Sequence, residues 1–185
     1  MLRQFPGQSK CAMQLAMHEL AFIGLGSNLG NCFENLKNAV QLIETTFNTS
    51  TVTSSVYRSE PLELTDQPWF LNQVVAFTPG PELGPVELLR QLKLIEEQMG
   101  RTPGPRYGPR IIDLDLLIYK NWVFECDWLI IPHDKLEQRS FVLQPLAEIA
   151  PDLINPRTGL SMAATLELQQ TKLSFCEKTA SDQAS

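Results

Sequence analysis

Residues 107–117, which read YGPRIIDLDLL, place two carboxylates inside an apolar run, directly after an arginine-rich loop. Successive side chains of a β-strand point to opposite faces, so Asp113 and Asp115 share one face, about 6.5–7 Å apart along the strand. Two like charges in an apolar setting need a counterion, because unpaired buried carboxylates take up a proton instead of staying ionised. We therefore expect either arginine or a hard divalent cation in front of them, and carboxylate oxygens suit Mg²⁺.

The carboxylate pair by itself leaves several interpretations open. It could belong to a structural ion-pair cluster with Arg106 and Arg110. Alternatively, a rigid strand could present the pair to two Mg²⁺ ions about 3.5–4 Å apart, which together clamp phosphate oxygens. Nearby arginines would then neutralise charge on a transferred group. Glycosyltransferases and palm-type polymerases also use acid-x-acid metal sites, so this triplet does not define the reaction.

The composition indicates one compact domain with an apolar core, since the chain has 185 residues, of which 43% are hydrophobic and 19% charged. A net charge of −6 argues against a dedicated nucleic-acid or anionic-membrane binder, whose surface would be basic. However, Arg90, Arg101, Arg106 and Arg110 lie close together in the sequence. A local anion site is therefore compatible with an acidic protein.

The cysteines and the ends of the chain give further expectations. Four cysteines without C-x-x-C spacing and only two histidines make a zinc site unexpected and favour a reduced, cytoplasmic protein. No apolar run approaches the length of a membrane span. Residues 1–18 contain no acid, and we expect a flexible N-terminal extension there, with a transit peptide as the weaker alternative. One domain over 19–170 and a polar, frayed tail over 171–185 complete the prediction.

The order of predicted elements is β-α-β-β-α-β. Strands are expected at 18–26, 51–59, 69–78 and 111–119, and helices at 31–46 and 86–99. This order matches a ferredoxin-like βαββαβ core, an α+β fold with an antiparallel sheet and helices packed on one face. Beyond it we expect a short strand at 122–124, an extended segment at 129–131 and C-terminal helices at 140–149 and 161–170. Residues 60–68 and the proline-rich 101–109 are expected to be loops.

The glycine-rich stretch GLGSNLG, from Gly24 to Gly30, is a near miss for a dinucleotide-binding fingerprint, because its third glycine comes one position late. We interpret it as a strand-to-helix turn, in which Ser27 or Asn28 caps the following helix. The P-loop pattern G-x-x-x-x-G-K-[ST] does not occur. A nucleoside triphosphate would therefore have to bind without a P-loop.

A longer set of motifs is more specific than the carboxylate pair. Its members are Gly26-Ser-Asn, Tyr57-Arg-Ser-Glu-Pro-Leu62, Phe70-Leu-Asn72, Ile95-Glu96, Gly100-Arg101, Arg106-x-Gly-Pro-Arg110-x-x-Asp113-Leu-Asp115-Leu-Leu, Pro132-His133, Arg139 and Phe141. Together and in this order, over about residues 19–154, they resemble the 6-hydroxymethyl-7,8-dihydropterin pyrophosphokinase family of folate biosynthesis. The resemblance implies a ferredoxin-like fold and Mg²⁺-dependent transfer of diphosphate from ATP to the pterin hydroxymethyl group, with release of AMP.

The resemblance also implies roles for individual residues. Asp113 and Asp115 would hold two Mg²⁺ ions, and Arg101 and Arg110 would be the catalytic cations of the loop. The ATP-binding set would comprise Glu96, Arg101, Arg106, Tyr107, Arg110, Leu116, His133 and Arg139. The pterin-binding set would comprise Ser59, Glu60, Leu62, Phe70, Asn72, Asp113 and Phe141. Residues Trp128 and Ile130 depart from the polar or cationic ATP contacts of some members, which leaves part of the nucleotide site undefined.

Several of these residues have ordinary structural interpretations. Without the resemblance, Phe70 and Phe141 would more often be core residues, His133 a surface or capping imidazole, and Arg101 a cation at a helix C-terminus. The functional alternatives are another metal-dependent nucleotidyl or phosphoryl transferase and a ferredoxin-like regulatory or binding module. With the pyrophosphokinase interpretation, the expected partners are ATP and the pterin, with no nucleic acid or membrane, and the expected state is a monomer.

Overall fold

The computed structural model describes residues 17–105, 107–169 and 174–179. The predicted N-terminal extension up to residue 16, Arg106 and the last six residues lie outside the described part. The helices and strands in chain order are β1 (Ala21–Ser27), α1 (Cys32–Phe47), β2 (Val52–Thr53), β3 (Tyr57–Ser59), β4 (Phe70–Phe77), α2 (Pro85–Gln98), β5 (Asp113–Tyr119), β6 (Phe124–Cys126), β7 (Leu129–Ile131), α3 (Ser140–Ile149), α4 (Met162–Gln169) and β8 (Cys176–Lys178). Among these residues no helix has both the length and the apolar character that a membrane crossing requires.

The main sheet is antiparallel, with strand order β5-β1-β4-β3-β8, and β2 also pairs with β4. Strands β6 and β7 form a separate hairpin. Strand β1 is central, and its residue Gly26 is paired with Asn72 of β4 on one side and with Asp113 of β5 on the other. The register therefore brings residues that are far apart in sequence onto one patch of the sheet.

Hydrophobic clusters cover both faces of this sheet. One face carries Ile23, Leu25 and Val75 against α1 and α2, and the other carries Phe22 and Val74 against α3. The prediction that β5 is covered on both faces is confirmed, since its apolar run contributes to both clusters. The two helices of the predicted βαββαβ unit, α1 and α2, lie on one face as expected, and the additional C-terminal helix α3 buries its apolar side against the other face.

Three further expectations need correction. The predicted strand 51–59 is interrupted between β2 and β3, because the Ser54 hydroxyl accepts the Val74 N–H at 3.0 Å in place of a backbone carbonyl. The strand predicted at 122–124 begins only at Phe124, after a turn in which Lys120 has φ 52°. In the region expected to be frayed, Cys176–Lys178 forms β8 and pairs with β3 at the sheet edge.

Candidate active site

A cavity of about 610 Å³ lies on the α3 side of the sheet, at the end that α3 leaves uncovered. Its floor is formed by β1, whose glycines Gly24 and Gly26 face it without side chains. A Cβ on Gly26 would lie 3.5 Å from Asn72 Oδ1 and 3.9 Å from Phe70 Cδ1. The glycines therefore keep the floor flat between the β4 and β5 side chains. Sequence reasoning placed them at the end of the first strand and in the turn that follows, with Gly26 also in a family motif, but it did not predict that they form a cavity floor.

The carboxylate of Asp113 is held by two arginines. Its Oδ1 lies 2.5 Å from Arg101 Nη1, and its Oδ2 lies 2.7 Å from Arg110 Nη1. Burial would raise the pKa of Asp113, but the charges of Arg110 and Arg101 outweigh it and hold the pKa below its usual range. The reciprocal effect raises the pKa of Arg101, whose burial is outweighed by Asp113 and Glu96. Asp113 is therefore an ionised carboxylate with both oxygens engaged.

The second carboxylate, Asp115, lines the same cavity but makes no ion pair with any described residue. Burial raises its pKa, the neighbouring Asp113 raises it further, and the more distant Lys93 and His133 only partly oppose this. No group of three His, Cys, Asp or Glu side chains converges on a metal site in the described residues. The two aspartates fit Mg²⁺, which commonly takes one or two carboxylates and completes its octahedron with phosphate and water.

The side chain of Glu96 forms an ion pair with Arg101. It is 4% exposed and lies at the end of α2, where its Oε2 is 2.6 Å from Arg101 Nη1. Glu96 does not line the cavity, so its carboxylate supports an arginine instead of facing a ligand. Leu116 does not line the cavity either, because it points to the opposite face of β5 and packs in the α1–α2 core, whereas Leu117 does line it.

Asn28 connects the loop that carries Arg110 to the loop that contains Gln67 through side-chain hydrogen bonds. The Asn28 Oδ1 accepts the Arg110 N–H at 2.7 Å, and its Nδ2 donates to Gln67 Oε1 at 3.0 Å. Gln67 in turn donates to the Tyr107 carbonyl at 2.9 Å. The predicted capping role of Asn28 is wrong, since Asn31 caps α1 by accepting the Glu34 N–H. The Gly26-Ser-Asn motif was the available sign that Asn28 matters.

Two aromatic side chains and an amide also line the cavity, and Phe70 and Asn72 lie beside Asp113, because a Cβ on Gly26 would be within 4.0 Å of all three side chains. Phe70 and Phe141 both line the cavity, and the Arg139 guanidinium lies 5.8 Å from the Phe141 ring centroid. The amide of Asn72 donates to Ser59 Oγ at 2.9 Å, which fixes its orientation and leaves Oδ1 beside the floor. Both phenylalanines face the cavity, although Phe141 also packs against the core, so this part of the cavity combines flat apolar surface with oriented polar atoms.

His133 follows β7 and is anchored to the outer edge of β5. Its N–H donates to the Leu117 carbonyl at 2.8 Å, and its Nδ1 accepts the Lys135 N–H at 3.1 Å. Burial lowers the pKa of His133, with Asp115 acting in the opposite direction. A neutral imidazole whose Nδ1 accepts has its proton on Nε2 and can donate from there. His133 is therefore placed as a hydrogen-bond donor in the cavity wall.

Most residues of the two predicted binding sets line this single cavity, although they come from distant parts of the sequence. Those that do are Ser59, Glu60, Leu62, Phe70, Asn72, Arg101, Tyr107, Arg110, Asp113, His133, Arg139 and Phe141, and the predicted metal ligand Asp115 lines it as well. Glu96 and Leu116 do not, and Arg106 is outside the described residues. Trp128 and Ile130 do not line it either, and Trp128 is largely exposed in the β6–β7 hairpin. Lys93 and Gln67 line the cavity but were not predicted.

Fold and site together define an α+β domain whose one-sided cavity combines an acidic pair, arginines and two aromatic rings. Residues 22–151 match the family model described as 7,8-dihydro-6-hydroxymethylpterin-pyrophosphokinase (HPPK). The chain belongs to this family, and the resemblance seen in its motifs is confirmed. A similar protein of Haemophilus influenzae, named 2-amino-4-hydroxy-6-hydroxymethyldihydropteridine pyrophosphokinase, is 43% identical over 141 residues, which cover 76% of this chain and 87% of that protein.

Other similar proteins are much longer than this chain. The folic acid synthesis protein fol1 of Pneumocystis carinii is 41% identical over 150 residues, which cover 81% of this chain but only 20% of that protein. The crystal structure of wild-type HPPK-DHPS from Plasmodium falciparum has a TM-score of 0.65 at 15% identity and covers 82% of this chain and 45% of its own. The chain thus spans about a fifth of the fungal protein and under half of the Plasmodium chain.

Proposed function

We propose that this protein transfers the diphosphoryl group of ATP to the hydroxymethyl oxygen of 6-hydroxymethyl-7,8-dihydropterin. The products are AMP and the pterin diphosphate, and the step belongs to tetrahydrofolate biosynthesis. Membership in the family supports the reaction class. The observation that carries the proposal is the joint presence, in one cavity, of the Asp113–Asp115 pair with its arginines and of the Phe70–Asn72–Phe141 subsite.

The acidic pair is proposed to hold two Mg²⁺ ions. When bound, the metal supplies neutralisation of the phosphate charge and a fixed position for the phosphate oxygens. Asp115 contributes a carboxylate without an ion-pair partner among the described residues, and Asp113 contributes one that its arginines keep ionised. Both project from a single strand, so their separation is set by the rigid backbone of β5.

The two arginines are proposed to stabilise charge on the transferred group. Each donates to one oxygen of Asp113, and phosphate oxygens are alternative acceptors of the same geometry. Arg101 forms an ion pair with Glu96, and the backbone N–H of Arg110 donates to Asn28 Oδ1. Electrostatic stabilisation of this kind accelerates a reaction because the donors are already oriented before charge develops. Tyr107, His133, Arg139 and Arg106 are proposed as further nucleotide contacts.

The part of the cavity that Phe70, Asn72 and Phe141 line, beside Asp113, is proposed to bind the pterin. A flat heterocycle between Phe70 and Phe141 gains about 0.5–1.5 kcal/mol per aromatic pair beyond burial. The oriented amide of Asn72 offers Oδ1 as an acceptor for a ring N–H, and the segment from Ser59 to Leu62 lines the polar edge. Catalysis then rests mainly on positioning and electrostatics, because no described side chain stands out as a strong general base.

Three broader statements belong to the same proposal. We assign the chain to the ferredoxin-like fold, supported by the strand order β5-β1-β4-β3 with α1 and α2 as the crossovers of the βαββαβ unit. We place the protein in the cytoplasm, on its sparse cysteines and the lack of a membrane-crossing helix in the described residues. We further propose one domain over 19–170 that acts as a monomer.

The product nucleotide tests the reaction directly. The protein is incubated with ATP, Mg²⁺ and the reduced hydroxymethylpterin, and the nucleotides are separated by chromatography. AMP formed only in the presence of pterin is the expected result. ADP would refute diphosphoryl transfer, and AMP without pterin would favour another nucleotidyl or phosphoryl transferase. If Asp115→Asn left ligand binding intact and no turnover occurred in either protein, a binding module would be favoured.

A further inference from the structure

Lys93 lines the cavity from α2, and the proposed reaction gives it no role so far. Its Nζ donates to Glu96 Oε1 at 2.7 Å and to the carbonyl of Leu114 at 2.9 Å. The same Glu96 oxygen accepts the Leu114 N–H at 2.6 Å. Both backbone polar groups of Leu114 are therefore bound by one lysine–glutamate pair.

The contact with Leu114 is relevant to the proposed reaction because of where Leu114 lies in the sheet. It lies between Asp113 and Asp115 on β5, which is the edge strand of the sheet. The outward-facing N–H and C=O groups of an edge strand have no strand neighbour. The side chains of Lys93 and Glu96 replace that neighbour at the one residue that separates the two aspartates.

The pair also connects the strand to a proposed catalytic arginine. Glu96 uses Oε1 for Leu114 and Lys93, and its other oxygen, Oε2, for Arg101 at 2.6 Å. Rotation of this carboxylate would therefore disturb the strand and the arginine together. Lys93 restrains that rotation, because its Nζ is bonded at the same time to Glu96 and to the carbonyl of Leu114.

We propose that Lys93 is a positioning residue for the reaction: through Glu96 and Leu114 it fixes the aspartates relative to Arg101. This role rests on the proposed function. The simpler interpretation is an ion pair on a helix surface, which contributes little to stability. That interpretation does not fit a glutamate that is only 4% exposed and a lysine that also binds the backbone of another element.

Lys93→Met tests the role, because methionine keeps much of the apolar stem and removes the ammonium group. The matched control is Lys37→Met, which removes an exposed lysine from α1, away from the cavity. For Lys93→Met we expect kcat to fall about tenfold, while KM for the pterin stays within twofold of the wild-type value. The reason is that misplacement of the aspartates relative to Arg101 would affect the transition state more than substrate binding. Lys37→Met should stay within twofold in both constants.

A second readout needs no metal, nucleotide or turnover. Amide hydrogen exchange of Leu114, followed by NMR in EDTA, should become about tenfold faster in Lys93→Met, while exchange of Leu25 on β1 stays unchanged. A purely structural role would accelerate both amides and lower the melting temperature. Unchanged Leu114 exchange, or an unchanged kcat while wild type forms AMP, overturns the role of Lys93 alone. Failure of the wild-type protein to form AMP overturns the proposed function and, with it, this role.

Discussion

The two aspartates of β5 should respond in opposite ways to the same substitution. Asp113→Asn removes a charge that two arginines share, so the free energy of unfolding should fall. Asp115→Asn removes a half-buried charge without an ion-pair partner in the described residues, beside a second negative charge, so the free energy of unfolding should rise. Both variants should lose the metal-dependent turnover of the proposed function.

The magnitudes follow from the contacts. Hydrogen bonds to charged groups contribute about 1.5–3 kcal/mol each, but asparagine keeps one acceptor and avoids the desolvation of a carboxylate, so we expect a net loss of about 1–2 kcal/mol for Asp113→Asn. Relief of the unpaired charge at Asp115 should add about 1 kcal/mol, in the range typical of substitutions at functional sites. In a chain of this length each kcal/mol moves the melting temperature by about 2–4 °C.

The pH dependence of stability independently tests whether each substitution raises or lowers the free energy of unfolding. Because the pKa of Asp115 is raised, its ionised form is disfavoured in the folded state at neutral pH, and this penalty disappears as pH falls below the unfolded value of about 3.9. The advantage of Asp115→Asn should therefore be larger at pH 7 than at lower pH and absent at the acid end. The pKa of Asp113 is lowered, so its contribution is present above the unfolded value and is lost as pH falls through the folded one.

Urea unfolding in EDTA at several pH values measures both effects, with Asp152→Asn, an exposed aspartate outside the cavity, as the control. The m-values should match that of wild type, so that midpoints report stability alone. A less stable Asp115→Asn at pH 7, or an advantage that grows as pH falls, would refute the reasoning about unpaired charge. A more stable Asp113→Asn would show that its arginine pairs do not outweigh desolvation.

Three further outcomes test the site and the edge strand. Arg110→Ala should lower kcat by about 10²–10³-fold and change the pterin Kd far less, and equal losses in both would contradict a role in the transition state. Gly26→Ala should weaken pterin binding about tenfold in a fluorescence titration, because its methyl group would stand on the cavity floor where the ring is proposed to lie, whereas Gly80→Ala, which lies outside the cavity and meets no atom within 4 Å, should bind normally. Burial raises the pKa of the Cys176 thiol to about 11, so alkylation at pH 8 should be roughly 100-fold slower in the native than in the urea-unfolded protein. Equal alkylation rates, measured by peptide mass spectrometry, would contradict the burial of Cys176 in strand β8.

Periodicity predicted the elements that bury a wide apolar surface. The helices α1 and α2 and the strand β5 were expected close to their observed bounds, because their apolar residues recur with the spacing of helix or strand. The break at Ser54 could not be predicted, since it depends on a hydroxyl that meets the Val74 N–H across the sheet. Strand β8 has only three residues with little apolar surface, and its pairing depends on β3, which lies far away in sequence.

The site was predictable to the extent that its residues have a spacing or a motif. The shared face of Asp113 and Asp115 followed from strand geometry alone, and the convergence of Phe70 and Phe141 followed only from the family resemblance. Side chains that bind backbone groups of other elements leave no such pattern. Lys93 binds the backbone of Leu114 and belongs to no motif, and the motif that contains Asn28 did not show that its side chain binds the backbone of Arg110.

The charged residues that affect the stability of the unliganded protein are also those proposed to act in the reaction. The network around β5 contains three cations and three carboxylates, namely Lys93, Arg101, Arg110, Glu96, Asp113 and Asp115. Both oxygens of Asp113 already accept from an arginine, and binding of a metal to the same carboxylate would weaken these bonds and leave the guanidinium groups to seek other acceptors. The triphosphate would provide those acceptors. Asp115 has no ion-pair partner among the described residues, so we expect its charge to be retained at a cost in stability because the proposed reaction requires it.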